Sequence, residues 1–192
     1  MSRFVFLDRD GTLVRDTGYP HRLEDYELLP GVGEALQRLA AAGFRLAIVT
    51  NQSGIGRGLY TERDFERFQA RLLEDLASAG VAIERTYHCP HVPGAGCLCR
   101  KPSPGMLWRA RDELGADLAA SWVVGDGAGD VGLAARAGCR GAVRLAGPHA
   151  ALAPVARPPR YAEAPDLAGA AAHIVAAPAG VAGAGGGGPE LA

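Results

Sequence analysis

The chain has 192 residues, of which 48% are hydrophobic and 21% charged, enough apolar material for one α/β domain with a buried core and unlike a disordered protein. A formal net charge of −1 supplies no chain-wide basic field of the kind that holds nucleic acid or an anionic membrane. No apolar stretch approaches the length of a membrane-spanning helix, and the apolar run before Asp8 is too short for a signal-peptide core, so a cytoplasmic location is expected. In a reducing compartment, three cysteines crowded between Cys89 and Cys99 read as metal ligands more readily than as disulfides.

Apolar runs and helical periods alternate along the chain. Phe4 to Leu7 forms a short buried strand that ends at Asp8. From Gly31 to Gly43, Val32, Leu36, Leu39 and Ala40 mark one helix face, with Gly43 as its stop. Arg45 to Thr50 is a second buried strand. Thr61 caps a helix whose Phe65, Phe68, Leu72, Leu73 and Leu76 share a stripe closed by Gly80. Ile83 to His88 reads as a third strand, followed by the cysteine-rich segment. Ser103-Pro104 opens a helix that runs to about Leu114 and stops at Gly115. Trp122 to Gly125 is a strand, Asp130 to Ala137 a short helix, and Gly141 to Leu145 the last core strand. This alternation predicts an α/β fold, a Rossmann-like parallel sheet with helices on both faces. Residues 1–147 form that core, with a metal loop at 89–99. Residues 148–176 form a covering segment whose one helix lies at Pro165 to Val175, and the Gly/Ala-rich stretch 177–192 is expected to be disordered.

Polar clusters follow the strands, where ligands bind in open α/β sheets. Asp8-Arg9-Asp10-Gly11-Thr12 comes directly after the first strand. Asp8 can attack phosphorus to give an acyl-phosphate, and Asp10 can protonate the leaving oxygen and then deprotonate water. Gly11 permits the turn that swings Asp10 over the site. Thr50-Asn51-Gln52-Ser53-Gly54 offers a hydroxyl and backbone N–H groups to phosphate oxygens. Lys101 can neutralise the phosphoryl group, and Arg100 can fork onto a second anion. Asp126 would complete a Mg²⁺ site with Asp8 and a backbone carbonyl, steadied by Asp130. Taken singly, each cluster also reads as a solvated turn, a basic surface pair or a helix cap. Cys89, His91, Cys97 and Cys99 form a C-x-H-x₅-C-x-C array, a normal closed donor set for structural Zn²⁺. Cys139 reads as core and His88 as a strand residue.

In order, D-x-D-G-T, T-N, K-P and G-D-x-x-x-D at strand ends resemble the motif series of the haloacid dehalogenase-like hydrolases, over residues 3 to about 145. The room between Asp10 and Thr50 holds one helix and a loop, so the resemblance is to a capless member. With the cysteine array, F-L-D-R-D-G-T-L-V, Gly18-Tyr19, T-N-Q-S-G-I-G-R-G and C-R-K-P-S-P-G-M-L resemble the D-glycero-D-manno-heptose 1,7-bisphosphate 7-phosphatase family. That resemblance implies Asp8 as nucleophile, Asp10 as acid/base, and Thr50 and Lys101 as stabilisers of the phosphoryl group. It assigns Arg100 to substrate recognition, and Asp16, Thr17, Gly18, Tyr19, Asn51, Gln52 and Ser53 to the substrate pocket. Mg²⁺ would be held by Asp8, the Asp10 carbonyl and Asp126. The partner implied is a small phosphosugar, with no nucleic acid or membrane; a monomer is expected, with a weak homo-oligomer as the alternative. The chain departs from the family in a shorter spacer between His91 and Cys97, and in Gly127 where the family carries lysine. The second departure keeps open a histidinol-phosphate or broader sugar-phosphate phosphatase; a third reading, a phosphosugar-binding protein without turnover, is opposed by the intact Asp8, Asp10, Lys101 and Asp126. Cys99 runs directly into Arg100-Lys101, so the metal loop is expected to position those cations.

Overall fold

The structure is a computed structural model that describes residues 2–147 and 156–178. Six strands form one sheet: β1 Phe4–Leu7, β2 Arg45–Asn51, β3 Arg85–Cys89, β4 Trp122–Gly125, β5 Gly141–Leu145 and β6 Arg160–Ala164. Their order is β3-β2-β1-β4-β5-β6, and every pairing is parallel. The helices are α1 Val32–Ala41, α2 Ser53–Gly56, α3 Glu62–Ser78, α4 Gly105–Leu114, α5 Ala128–Ala137 and α6 Leu167–Ala176, with short 3₁₀ turns at Leu23–Asp25 and Leu118–Ala120.

The inner strands β1 and β4 are buried along their whole length because both faces are covered. Successive side chains point to opposite faces, so Val5, Leu7, Leu46, Ile48, Val124 and Val143 pack against α1, α3 and α6. Phe4, Phe6, Ala47, Val49, Val123 and Ala142 pack instead against Met106, Leu107 and Ala110 of α4 and Leu133 and Ala134 of α5. Cys139 is buried in this second layer, and His88 lies on β3, as expected. Thr61 caps α3 through a reciprocal pair with Asp64, Thr61 Oγ1 accepting from the Asp64 N–H and Asp64 Oδ2 accepting from the Thr61 N–H.

Two elements differ from the sequence reading. Gly141–Leu145 is not the last strand: β6 continues the sheet, paired with β5 from Gly141↔Arg160 to Leu145↔Ala164. Its sequence, R-Y-A-E-A, is half-exposed, which is what an edge strand allows and why no apolar run announced it. The segment 148–176 therefore supplies a strand as well as the helix α6. The second difference is α2, a single turn formed by the small residues S-G-I-G after β2. The stretch expected to be disordered, 177–192, lies outside the described residues except for its first two.

Strand order reverses at β1, flanked by β2 and β4. A crevice opens at the carboxyl ends of strands around such a switch point. Asp8 and Asp126 follow β1 and β4 there, and Thr50 and Asn51 end β2 with Gln52 just after it. Only the 3₁₀ turn at Leu23–Asp25 and α1 intervene between Asp10 and β2, so no inserted domain covers the crevice.

Candidate active site

Asp8 extends β1 by one residue, its N–H donating to the Val124 carbonyl at 2.9 Å. Gly11 then turns the chain with φ +76°, a conformation open to glycine at no steric cost. The Asp126 carboxylate passes so close to this glycine that a Cβ there would sit 2.4 Å from Asp126 Oδ2. Glycine thus lets the first and fourth clusters share one floor.

The floor carries one buried cation. Lys101 Nζ lies 2.8 Å from Asp8 Oδ1 and 2.7 Å from Asp130 Oδ1, and it donates to the Val49 carbonyl at 3.1 Å. All three ammonium donors are used. Burial opposes the charge on Lys101, but the carboxylates of Asp130 and Asp8 outweigh it and hold its pKa above the ordinary lysine range. Lys101 is therefore an ammonium at any pH at which the protein is folded near neutrality. Its backbone is fixed separately: Asn51 Oδ1 accepts from the Lys101 N–H at 3.0 Å, and Asn51 Nδ2 donates to the Lys101 carbonyl at 3.3 Å. The Lys101-Pro102 peptide is cis.

Asp8, Asp126 and Asp130 bring carboxylate oxygens within 4.8 Å of one another, an oxygen-rich donor set that fits a hard divalent cation. Asp130 is already committed, however: Oδ1 accepts from Lys101 and Oδ2 from the Gly127 N–H at 3.2 Å. Asp8 Oδ1 likewise accepts from Lys101 and from the Arg9 N–H at 2.7 Å, and Asp130 stands behind Lys101.

Across the cleft, Asp10 is held by Arg9 and Gln52. Arg9 Nε donates to Asp10 Oδ1 at 2.7 Å and Nη2 to Oδ2 at 3.0 Å, and Gln52 Nε2 donates to Oδ2 at 2.9 Å. Burial pushes the Asp10 carboxyl above its ordinary value, with Arg9 pulling the other way. A carboxyl so placed can carry a proton at a pH where free aspartic acid would not.

The cleft, about 410 Å³, is lined by Asp8, Asp10, Asp16, Gly18, Tyr19, Thr50, Asn51, Gln52, Arg100, Lys101, Asp126 and Asp130, together with Tyr60, Gly127 and Gly129. Of the residues the sequence nominated for catalysis or substrate, Thr17 and Ser53 stand outside this lining: Thr17 is exposed, and Ser53 starts α2. Arg100 faces the cleft while its Nη1 donates to the His91 carbonyl at 3.2 Å. Sequence reasoning did not single out Arg9 or Tyr60. The one available signal for Arg9 was a guanidinium wedged between two aspartates. Nothing local to Tyr60 tied it to the site.

The cysteine loop closes on itself beside the cleft. Cys89 ends β3, and its Sγ lies 3.5 Å from His91 Nδ1, 3.6 Å from Cys97 Sγ and 3.2 Å from Cys99 Sγ. His91 Nδ1 is 3.2 Å from Cys99 Sγ. No pair is a disulfide. All four donor atoms lie within 4.8 Å of one another, so the array can hold a metal, and the spacings approach the edges of a tetrahedron of metal–sulfur bonds of about 2.3 Å. Three bonds tie the loop to its neighbours: the Gln52 N–H to the Cys89 carbonyl at 2.7 Å, the Gly56 N–H to the Pro90 carbonyl at 2.9 Å and the Gly105 N–H to the Leu98 carbonyl at 3.0 Å.

Two acids at the switch point of a parallel sheet, faced by one buried lysine and backed by a carboxylate pair, form a site that can take up a phosphate monoester. Comparison with known proteins agrees. The profile of the haloacid dehalogenase-like hydrolases matches residues 18–138. The chain is 44% identical over 153 residues to the D-glycero-beta-D-manno-heptose-1,7-bisphosphate 7-phosphatase of Escherichia coli K12, covering 75% of this chain and 80% of that one. It is 43% identical over 122 residues to a probable D-glycero-D-manno-heptose-1,7-bisphosphate 7-phosphatase of Thermoplasma acidophilum, covering 64% and 76% of the two chains. Among solved structures, the D,D-heptose 1,7-bisphosphate phosphatase from B. bronchiseptica, complexed with magnesium and phosphate, superposes with a TM-score of 0.81 at 32% identity, covering 90% of this chain and 98% of that one. The chain belongs to the haloacid dehalogenase-like hydrolase family.

Proposed function

We propose that this protein is a magnesium-dependent phosphatase that removes the 7-phosphate of D-glycero-D-manno-heptose 1,7-bisphosphate, leaving the heptose 1-phosphate. The observation that carries the reading is the Lys101 ammonium held 2.8 Å from Asp8 Oδ1, in a chain whose relatives are named for this activity. Asp8 attacks phosphorus as the bond to the C7 oxygen breaks, and Asp10 delivers a proton to that departing oxygen. Asp10 then takes a proton from water, which attacks the aspartyl-phosphate, releases phosphate and restores Asp8. Lys101 neutralises the phosphoryl oxygens throughout, and Thr50 and Asn51 border the same group. Asp8, the Asp10 carbonyl and Asp126 would hold Mg²⁺, which when bound supplies further charge neutralisation at the phosphoryl oxygens.

Asp16, Gly18, Tyr19 and Arg100, all on the cleft, are assigned to the sugar and its second phosphate. Zn²⁺ is the metal assigned to Cys89, His91, Cys97 and Cys99, in a structural role. By pinning the loop that leads into Arg100 and Lys101, it keeps those cations at the cleft. With no inserted domain over the site, water exclusion is weak and selectivity must come from these loops.

Gly127 in place of the family's lysine favours a second reading, a broader sugar-phosphate or histidinol-phosphate phosphatase. A panel of both anomers of the heptose bisphosphate, fructose 1,6-bisphosphate and histidinol phosphate separates the two. The heptose bisphosphate is expected to give the highest kcat/KM, and a higher value for histidinol phosphate would refute the assignment. Asp8→Asn is expected to abolish phosphate release from every member of the panel.

A further inference from the structure

Arg9 lies between the two catalytic candidates yet has no exposed surface, so it cannot reach a substrate. Its guanidinium stacks over Phe68 and Phe65 of α3, 4.7 and 5.4 Å from the ring centroids, and forks onto both oxygens of Asp10. Nη2, which has two N–H groups, also reaches the Pro20 carbonyl at 3.0 Å and Gln52 Oε1 at 3.1 Å, so one of its N–H groups is shared between two acceptors. Gln52 is equally buried, and its amide is saturated. Oε1 accepts from Arg9 Nη2 and from the Tyr60 hydroxyl at 2.6 Å, while Nε2 donates to Asp10 Oδ2 at 2.9 Å and to Thr50 Oγ1 at 2.8 Å. Two acceptor sites and two donors exhaust a carboxamide. Tyr60 is itself stacked on His21, with centroids 4.6 Å apart.

We infer that Arg9 and Gln52 are positioning residues that fix the Asp10 carboxyl for proton transfer, and that Gln52 acts through Asp10 rather than by touching substrate. The count of lone pairs gives the inference its content. Oδ2 receives two donors, Arg9 Nη2 and Gln52 Nε2, and is full. Among the described residues, Oδ1 receives Arg9 Nε alone. Oδ1 is therefore the oxygen placed to exchange a proton with the leaving oxygen as the phosphorus–oxygen bond breaks, and with water in the second step. Stability alone does not account for the device, because a buried ion pair is often no better than an apolar replacement of similar volume. Proton transfer does account for it, since a donor must sit at hydrogen-bond distance along a fixed direction.

The inference rests on Asp10 as proton donor, and its test separates the two ideas. kcat/KM is measured for the heptose bisphosphate, whose alkoxide leaving group needs a proton, and for p-nitrophenyl phosphate, whose leaving group does not. The enzymes are wild type, Asp10→Asn, Arg9→Lys and Gln52→Met, each checked for folding by thermal melting. Asp10→Asn is expected to lose at least about 10²-fold more on the sugar ester than on the aryl ester. An equal loss on both would remove Asp10 as the donor and leave the positioning idea without an object. Given the expected Asp10→Asn result, Arg9→Lys should lose about 10²-fold and Gln52→Met about 10-fold on the sugar ester, with less than about threefold on the aryl ester. Equal losses on the two esters, or none, would overturn the inference. Where Arg9→Lys is not recovered folded, Gln52→Met decides it by the same criterion.

Discussion

Gly11→Ala is the most informative single change in the site, because it adds one methyl group at a place where two separate costs can be told apart. The first cost is backbone strain: Gly11 has φ +76°, and an L-residue in that region loses about 1–2 kcal/mol. The second is steric. The new Cβ would lie 2.4 Å from Asp126 Oδ2 and 2.9 Å from Asp126 Cγ, against an ordinary carbon–oxygen contact of about 3.4 Å, so the carboxylate must retreat by about 1 Å. A displacement of that size in a catalytic constellation costs about 10²-fold in rate. Gly115→Ala is the control. Gly115 ends α4 with φ +65° and has nothing within 4 Å of its Cβ position, so it carries the strain without the clash. Both variants should lose about 1–2 kcal/mol in urea denaturation. Only Gly11→Ala should lose about 10²-fold in kcat/KM and require more Mg²⁺ for half-maximal activity. If Gly11→Ala kept wild-type activity and metal dependence, Asp126 would not be the cation ligand argued for here.

Two further outcomes are expected. The purified protein should contain about one equivalent of zinc, and stripping it or introducing Cys99→Ser should lower Tm by several degrees and kcat/KM with it, because the loop leads into Lys101. A metal-free protein as stable and active as the native one would remove the structural role. Stability should also decline in alkali. Burial, aided by a hydrogen bond to Glu113, pushes the Tyr87 hydroxyl up to about 12, against about 10 for tyrosine in an unfolded chain. Above pH about 10 the unfolded chain releases this proton first, so the contribution, complete below that pH, is lost as pH rises toward 12. Urea midpoints between pH 8 and 11 should fall less in Tyr87→Phe than in wild type, and identical slopes would refute the assignment.

The sequence made the middle of the sheet legible because β1, β2 and β4 each hold a run of consecutive apolar residues, a pattern that coverage on both faces produces. It also exposed Asp8, Asp10, Lys101 and Asp126, since each follows a strand end or a cysteine ligand at short range. β6 escaped because an edge strand needs no apolar face pattern. The contacts of Arg9 and Gln52 escaped for a different reason. Gln52 reads as a pocket residue from its motif, and only the structure shows all four of its hydrogen bonds spent on Asp10, Thr50, Arg9 and Tyr60.

By itself, then, the sequence determined the residue chemistry and its order along the chain: which carboxylates follow which strands, and which sulfurs and imidazole could share a metal. The tertiary structure decided which groups meet. That Lys101 reaches Asp8 and Asp130 together, and that an arginine packed on two rings of α3 grips Asp10, depends on strands and helices far apart in sequence. Hydrogen bonds extend about 3 Å, and no local pattern encodes a contact between residues 9 and 68 until the sheet and its helices have folded around it.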